Sequence, residues 1–118
     1  MDTENIFEDF QSAAKFIKKI TLTNDELTII YKNGKKEKHL FENLQKVTII
    51  TTDQGPFEDD VFWLMLFKKN IIMIPQGCPG EDKLLEIMQK LPDFDNEQVV
   101  KAMTCSENSS FLVWEKEE

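Results

Sequence analysis

The chain contains no arginine, so all fourteen of its basic residues are lysine. It therefore lacks the planar guanidinium fork that binds phosphate or carboxylate through two parallel hydrogen bonds. Histidine is nearly absent too, because His39 is the only one. One histidine can supply neither a two-histidine metal site nor a typical zinc centre. His39 lies in the lysine-dense segment KKEKHLF, where we expect an exposed or half-packed side chain.

Cysteine is also scarce, since only Cys78 and Cys105 are present and no CxxC spacing joins them. This usage favours inert thiols in a reducing compartment, and one bridge in a secreted domain is the alternative. Cys78 lies close to the expected start of a helix at Glu81, and a helix N-terminus favours the thiolate. The carboxylates of Glu81 and Asp82 act in the opposite direction. We therefore assign no catalytic residue to the chain.

No hydrophobic run is long enough to cross a bilayer. The first residues also lack the basic stretch and apolar run of a secretory signal, because four acidic residues interrupt them: Asp2, Glu4, Glu8 and Asp9. The sequence thus predicts a cytoplasmic protein.

Positive charge is outweighed by 22 acidic residues, which gives a net charge of −8. The imbalance is greatest in residues 71–118, which hold ten acidic residues against four lysines. Nucleic acids and anionic membranes require a basic face, so this balance argues against both as partners. A basic protein partner is compatible with the acidity, and so is a role in solubility alone.

Strand signals fill the middle of the chain, from residue 18 to residue 75. The segment VTIITT at 47–52 is nearly all β-branched, which suits a pleated and packed surface. The segment 61–67 is too apolar to alternate, so we expect a central strand buried on both faces. Asn33-Gly34 marks a hairpin because both residues tolerate a positive φ. Pro75 lacks a backbone donor and should end the last of these strands.

Helical periodicity appears on both sides of this meander. An amphipathic helix is predicted over residues 4–17, and further helices over 81–103. Asp95 should cap the second of these, and Gln98 is placed to complete the capping box. Val99, Val100 and Met103 should face inward.

A last strand, over residues 110–115, completes an α+β pattern. We expect a single domain, residues 1–118, with a strongly twisted antiparallel sheet of about six strands and helices packed on it. Consecutive hairpins closed by a helix also match a pleckstrin-homology-like half-barrel, which is the specific fold that we predict.

Two charged segments invite a functional interpretation. The turn over residues 53–60 collects four carboxylates, which could bind Ca²⁺ or Mg²⁺ or serve a small metal-dependent hydrolase. Its spacing does not match an EF-hand, and a solvated loop with Asp53 closing a turn is the structural alternative. Lysines around the Asn33-Gly34 hairpin could contact lipid head groups, or could simply protect an edge strand from pairing.

Three clusters carry a resemblance to a known family: TTDQGPFEDDVFW at 51–63, PQG at 75–77, and LPDFDNEQVVKAM followed by EN, F and W at 91–114. Together they resemble a family of small bacterial proteins with a TTDxGP motif, an acidic pair before an FW strand and an LPGFDN segment. Asp93 stands where that family carries glycine. The resemblance implies no activity, so it supplies no site residue.

These observations favour a non-enzymatic protein–protein interaction protein of the inhibitor or immunity type, with no cofactor and no bound metal. It would bind a basic partner through its acidic surface, and we expect the contacts at Glu58, Asp59, Asp60, Asp93, Asp95 and Glu97. The metal-dependent hydrolase and a lipid-binding pleckstrin-homology-like module are the alternatives. The sequence leaves the oligomeric state open.

Overall fold

The computed structural model describes residues 14–53 and 61–117. The predicted N-terminal helix therefore lies almost wholly outside the described residues, and Ile17, its expected last residue, already belongs to a strand. The strands are β1 (Ile17–Leu22), β2 (Glu26–Tyr31), β3 (Lys36–Leu40), β4 (Leu44–Thr51), β5 (Val61–Phe67), β6 (Ile71–Pro75) and β7 (Ser109–Glu115). The helices are α1 (Leu84–Met88) and α2 (Asn96–Met103), with short 3₁₀ turns at Phe41–Asn43 and Glu81–Lys83.

The described strands form two antiparallel sheets, with strand orders β1-β2-β3 and β6-β5-β4-β7. The predicted α+β class with antiparallel pairing is confirmed. The predicted single sheet of about six strands is wrong, because β3 and β4 follow each other in sequence without pairing.

The 3₁₀ turn Phe41–Asn43 explains the division into two sheets. At its start, the backbone N–H of Phe41 donates to the carbonyl of Asp25 in the β1–β2 turn (2.9 Å). At its end, the carbonyl of Asn43 accepts from the N–H of Lys68 in the β5–β6 turn (2.9 Å). The start of the turn is thus bonded to the three-stranded sheet and its end to the four-stranded sheet. The chain therefore passes from one sheet to the other at this point, whereas a hairpin would have kept β3 and β4 in the same sheet.

The four-stranded sheet is centred on β4 and β5. β5 spans the predicted residues, lies between β4 and β6, and buries five of its seven residues. Trp63, opposite Ile49, is one of the largest fully buried side chains. β7 returns from the far end of the chain to pair with the other side of β4, with Ile49 opposite Phe111.

The helices are short and cover the core with few residues. Asp95 caps α2 as predicted, accepting from the backbone N–H of Gln98 (3.1 Å). The inward face of α2 was predicted only in part: Val99 is buried, whereas Val100 and Met103 are 63% and 40% exposed. Ala102 takes the buried position instead. No helix in the described ranges is long and apolar enough to cross a membrane.

The loop before α1 is attached to the three-stranded sheet through β1. The N–H of Ile20 donates to the carbonyl of Pro79 (2.9 Å), and Gly80 follows with a φ of +93°. A side chain on Gly80 would overlap with the carbonyl oxygen of Ile20. The two backbones therefore lie so close that only glycine fits between them.

Candidate functional site

The predicted contact residues fall into two groups. Glu58, Asp59 and Asp60 lie outside the described residues, as does all of the 53–60 carboxylate turn except Asp53. Asp93 and Asp95 are exposed on the segment that leads into α2, and Glu97 is exposed in the first turn of α2.

Asp93 has a φ of +61°, in the left-handed region that favours glycine. The backbone thus adopts a left-handed conformation at this position with aspartate, a residue that tolerates it better than most.

The cysteines are thiols in this fold and are not joined by a disulfide. Cys78 is half-buried, and its thiol lies 3.7 Å from the carbonyl of Pro79. Cys105 lies 3.6 Å from the hydroxyl of Thr51, which donates a shorter bond to the carbonyl of Glu107 (2.7 Å). Within the part of the chain that the structure describes, no three His, Cys, Asp or Glu side chains are grouped to hold a metal.

His39 was predicted to be exposed or half-packed, and the structure corrects this: only 7% of the residue is exposed. β3 alternates, so Lys36 and Lys38 face solvent while Glu37 and His39 face the interior. The His39 ring packs on Phe67 with centroids 5.0 Å apart. Burial lowers the pKa of His39, against the opposing effect of the Glu37 carboxylate, and the imidazole is therefore neutral at pH 7.

A buried carboxylate was missed by sequence reasoning. Glu81 is 8% exposed and accepts from the indole N–H of Trp63 (2.7 Å) and from the backbone N–H of Gly77 (3.0 Å). The sequence placed it only at the expected start of a helix, where its charge disfavours a thiolate at Cys78. In the fold it instead fixes the largest core side chain.

An acidic pocket forms where three separated segments meet, at residues 41–44, 91–93 and 114–117; we call it the Trp114 pocket. Two hydrogen bonds attach the second segment and its continuation to β7. The indole N–H of Trp114 donates to the carbonyl of Pro92 (3.0 Å), and the N–H of Asp95 donates to the carbonyl of Val113 (2.8 Å). A third, from the N–H of Lys116 to the carbonyl of Gln45 (2.8 Å), fixes the end of β7 beside β4.

The Trp114 pocket combines an apolar floor with an acidic rim. Its volume is about 380 Å³, and Phe41, Leu91 and Trp114 supply apolar walls. Four carboxylate residues and one lysine also line it: Glu42, Asp93, Glu115, Glu117 and Lys116. Glu115 lies 3.9 Å from the ammonium of Lys46 across the strand pair, and the other three carboxylate residues are exposed. The pocket thus offers aromatic surface beneath an excess of negative charge.

A second pocket has the opposite charge; we call it the lysine pocket. Lys38, Lys68 and Lys69 line this space of about 400 Å³, together with His39 and Asn70. The β5–β6 turn brings Lys68 and Lys69 beside the edge strand β3. The ammonium of Lys38 also lies 3.6 Å from the carboxylate of Glu26.

Comparison of the chain with protein-family models, with curated proteins and with solved structures gives no match. The function must therefore be argued from the geometry of the pockets themselves.

Proposed function

We propose that the protein is a non-catalytic, cytoplasmic interaction protein of the inhibitor or immunity type, which binds a basic protein partner. The Trp114 pocket would receive a lysine or arginine side chain of that partner. The observation that supports this proposal is the combination of an aromatic floor with an acidic rim in one pocket of about 380 Å³.

Each part of the pocket suits a different part of a cationic side chain. Lysine and arginine bury their methylene stems along apolar surface while the charged head remains near water or a counter-charge. The rings of Phe41 and Trp114 offer both apolar contact and the negative π-face that attracts cations. Glu42, Asp93 and Glu117 then surround the head with carboxylates that have no cation within salt-bridge distance among the described residues.

The net charge of −8 should act before contact is made. An acidic surface attracts a basic partner over a distance of about 10 Å at moderate salt, which mainly increases the rate of association. The predicted contacts Asp95 and Glu97, close to the pocket in sequence, fit such a role, and those at Glu58, Asp59 and Asp60 remain predictions.

Titration with a short capped oligolysine peptide tests the proposal through tryptophan fluorescence. Trp63 is 1% exposed and does not line the pocket, whereas Trp114 is 8% exposed and does, so a spectral change on binding should come mainly from Trp114. Replacing three rim residues together (Glu42→Gln, Asp93→Asn and Glu117→Gln) should weaken binding about tenfold or more. Asparagine is chosen for position 93 because it also tolerates a positive φ. Binding to the unaltered protein should weaken steeply with added salt.

The matched control removes the same three charges elsewhere, with Asp82→Asn, Glu86→Gln and Glu107→Gln, all at exposed positions. This variant should keep its affinity to within about twofold, because its changes act only through weak, screened charge. Equal losses in the two triple variants would mean attraction to net charge alone and would contradict a specific pocket. Absence of any fluorescence change with the peptide would contradict it as well.

A second candidate function is the pleckstrin-homology-like lipid-binding module, and the lysine pocket favours it. Two packed antiparallel sheets agree with a half-barrel of that kind at the level of architecture. If this function is correct, the protein should sediment with vesicles rich in anionic lipid at low salt. Lys68→Gln with Lys69→Gln should then abolish sedimentation, while Lys18→Gln with Lys19→Gln, an exposed pair on β1, should not. Failure of the unaltered protein to sediment would remove this candidate.

The metal-dependent hydrolase that the sequence offered as an alternative depends on the 53–60 turn, most of which lies outside the described residues. It remains a prediction from the sequence.

A further inference from the structure

A small cavity lies where the inner face of the three-stranded sheet meets β6; we call it the Tyr31 cavity. It measures about 190 Å³. Its polar lining comes from Tyr31, Glu37 and His39, on β2 and β3, and from Asn70 in the β5–β6 turn, and its apolar lining includes Ile29 and Ile72. It shares no lining residue with the Trp114 pocket.

One residue that lines the cavity, His39, has a polar atom that the described part of the protein leaves unsatisfied. The Nε2 atom of His39 is buried and makes no hydrogen bond within residues 14–53 and 61–117. A buried polar atom without a partner costs free energy, so a site of this kind calls for an explanation by a bound group. The Glu37 carboxylate lies close to it, with Oε2 3.9 Å from Nε2, beyond hydrogen-bond distance.

Among the described residues, the Glu37 carboxylate has a hydrogen-bond donor but no cation to balance its charge. Both of its carboxylate oxygens lie 3.1 Å from the hydroxyl of Tyr31, which donates to them. Burial and this carboxylate together raise the pKa of Tyr31 to about 12, so the hydroxyl keeps its proton. Among the described residues, the one ion-pairing contact of Glu37 is with His39, and that imidazole is neutral. The polar end of the cavity therefore carries one uncompensated negative charge.

The three groups share one chemical character, because each can accept a hydrogen bond from a ligand. Glu37 has free lone pairs, Tyr31 keeps a lone pair after donating its proton, and His39 Nε2 accepts when the proton lies on Nδ1. A primary ammonium group has three N–H donors and one positive charge, which matches three acceptors and one negative charge. A separation of 3.9 Å allows one nitrogen to lie within about 2.9 Å of both His39 Nε2 and Glu37 Oε2.

We propose that the Tyr31 cavity binds a small primary alkylammonium ion, with its N–H groups donated to Glu37, Tyr31 and His39. A short alkyl chain would extend along Ile29 and Ile72. An anion would be repelled by Glu37. A quaternary ammonium ion has no N–H group and would leave His39 Nε2 unsatisfied. A metal ion would find one carboxylate and one imidazole, which is fewer ligands than a stable site requires.

His39 provides a direct test because it is the only histidine and gives a single set of imidazole resonances by NMR. Titration of the unaltered protein with n-butylammonium above pH 7 should shift the Nε2 resonance and saturate. Two matched probes of similar length, n-butanol and butyltrimethylammonium, should bind at least about tenfold more weakly, because one lacks the charge and the other lacks the N–H donors. Equal affinity for either probe, or no saturable shift with n-butylammonium, would overturn the proposal.

Two variants locate the site. Glu37→Gln removes the charge at a half-exposed position that should tolerate the change, and it should weaken n-butylammonium binding about tenfold or more. Glu42→Gln, in the Trp114 pocket, removes the same charge elsewhere and should leave the affinity unchanged. If the affinity for n-butylammonium fell in both variants, or in neither, the result would contradict binding at Glu37. Because the pockets share no residue, the result is independent of the oligolysine titration.

The pH dependence has a defined sign. The imidazolium form of His39 would repel the ammonium ion and lose its acceptor, so binding should weaken as the pH falls through the pKa of His39, which burial lowers from its ordinary value. By linkage, saturating n-butylammonium should lower that pKa further. The groups facing the ring are Glu37 on β3, Tyr31 on β2 and the lysines of the β5–β6 turn. A ligand-induced increase in the pKa of His39 would place the ammonium group elsewhere and overturn the assignment.

Discussion

Gly80→Ala should lower the free energy of unfolding by about 3 kcal/mol or more. Two effects combine at this position. The φ of +93° is unfavourable for any residue with a Cβ, which costs about 1–2 kcal/mol. The new methyl group would also overlap with the carbonyl oxygen of Ile20 and lie 3.0 Å from its carbonyl carbon. Both of these are backbone atoms, so the clash cannot be relieved by a change of side-chain rotamer.

Gly34→Ala is the control for the conformational part of this effect. Gly34 has a φ of +90°, and an added Cβ there meets no atom within 4 Å. Its replacement should therefore cost only the conformational penalty of about 1–2 kcal/mol. Urea unfolding followed by circular dichroism measures both variants. Equal losses of unfolding free energy at the two positions would show that the backbone near Gly80 and β1 can move apart at no energetic cost, contrary to our expectation.

Glu81→Ala should destabilise the protein by about 3 kcal/mol. The substitution leaves the indole N–H of Trp63 buried without an acceptor, and it also removes the acceptor of the Gly77 N–H. Hydrogen bonds to a charged group contribute about 1.5–3 kcal/mol each, and an orphaned buried donor adds its own desolvation cost. A change in the fluorescence of Trp63 should accompany the loss of stability.

Asp82→Ala separates the buried hydrogen bonds from the general effect of an acid near a helix start. Asp82 is the exposed neighbour of Glu81 in the same 3₁₀ turn, so its loss should cost at most about 0.5–1 kcal/mol. Measuring Glu81→Ala in a Trp63→Phe background should recover a coupling energy between the two side chains. If the losses of stability from Glu81→Ala and Trp63→Phe simply added, the hydrogen bond between the two side chains would contribute no specific stabilisation.

Local features of the fold were predictable where one physical signal dominated. Val61–Phe67 was predicted as a central strand because an uninterrupted apolar run fits only a strand covered on both faces. Asn33-Gly34 does form the β2–β3 turn, with Gly34 at a φ of +90°. Asp95 could be recognised as a cap from its position before α2. In each case the residues that decide the structure are close together in sequence.

Features that depend on distant partners were not predictable in this way. The division into two sheets depends on backbone hydrogen bonds from the 41–43 turn to Asp25 and Lys68. Nothing in the sequence of the turn indicates either partner. His39 was expected near solvent because lysines surround it in sequence, yet the alternation of β3 turns those lysines outward and the ring inward. Glu81 likewise looked like an ordinary acidic residue at a helix start, because its partner Trp63 lies 18 residues earlier in the chain.

The Trp114 pocket was only partly foreseen. Asp93 was among the predicted contacts, whereas Glu42, Glu115 and Glu117 were not. A tryptophan directly followed by an acidic segment was the available signal. Which residues complete the pocket could not be deduced, because they come from segments about 20 and about 70 residues before Trp114.

The position of β7 beside β4 has a consequence for synthesis of the chain on the ribosome. One side of β4 has no partner strand until residues 109–115 have emerged, and the walls of the Trp114 pocket come together only at that moment. A nascent or prematurely terminated chain would present an open β4 border, which is a template for unwanted pairing with other chains. The Trp114 pocket is thus complete only in molecules whose second sheet is complete.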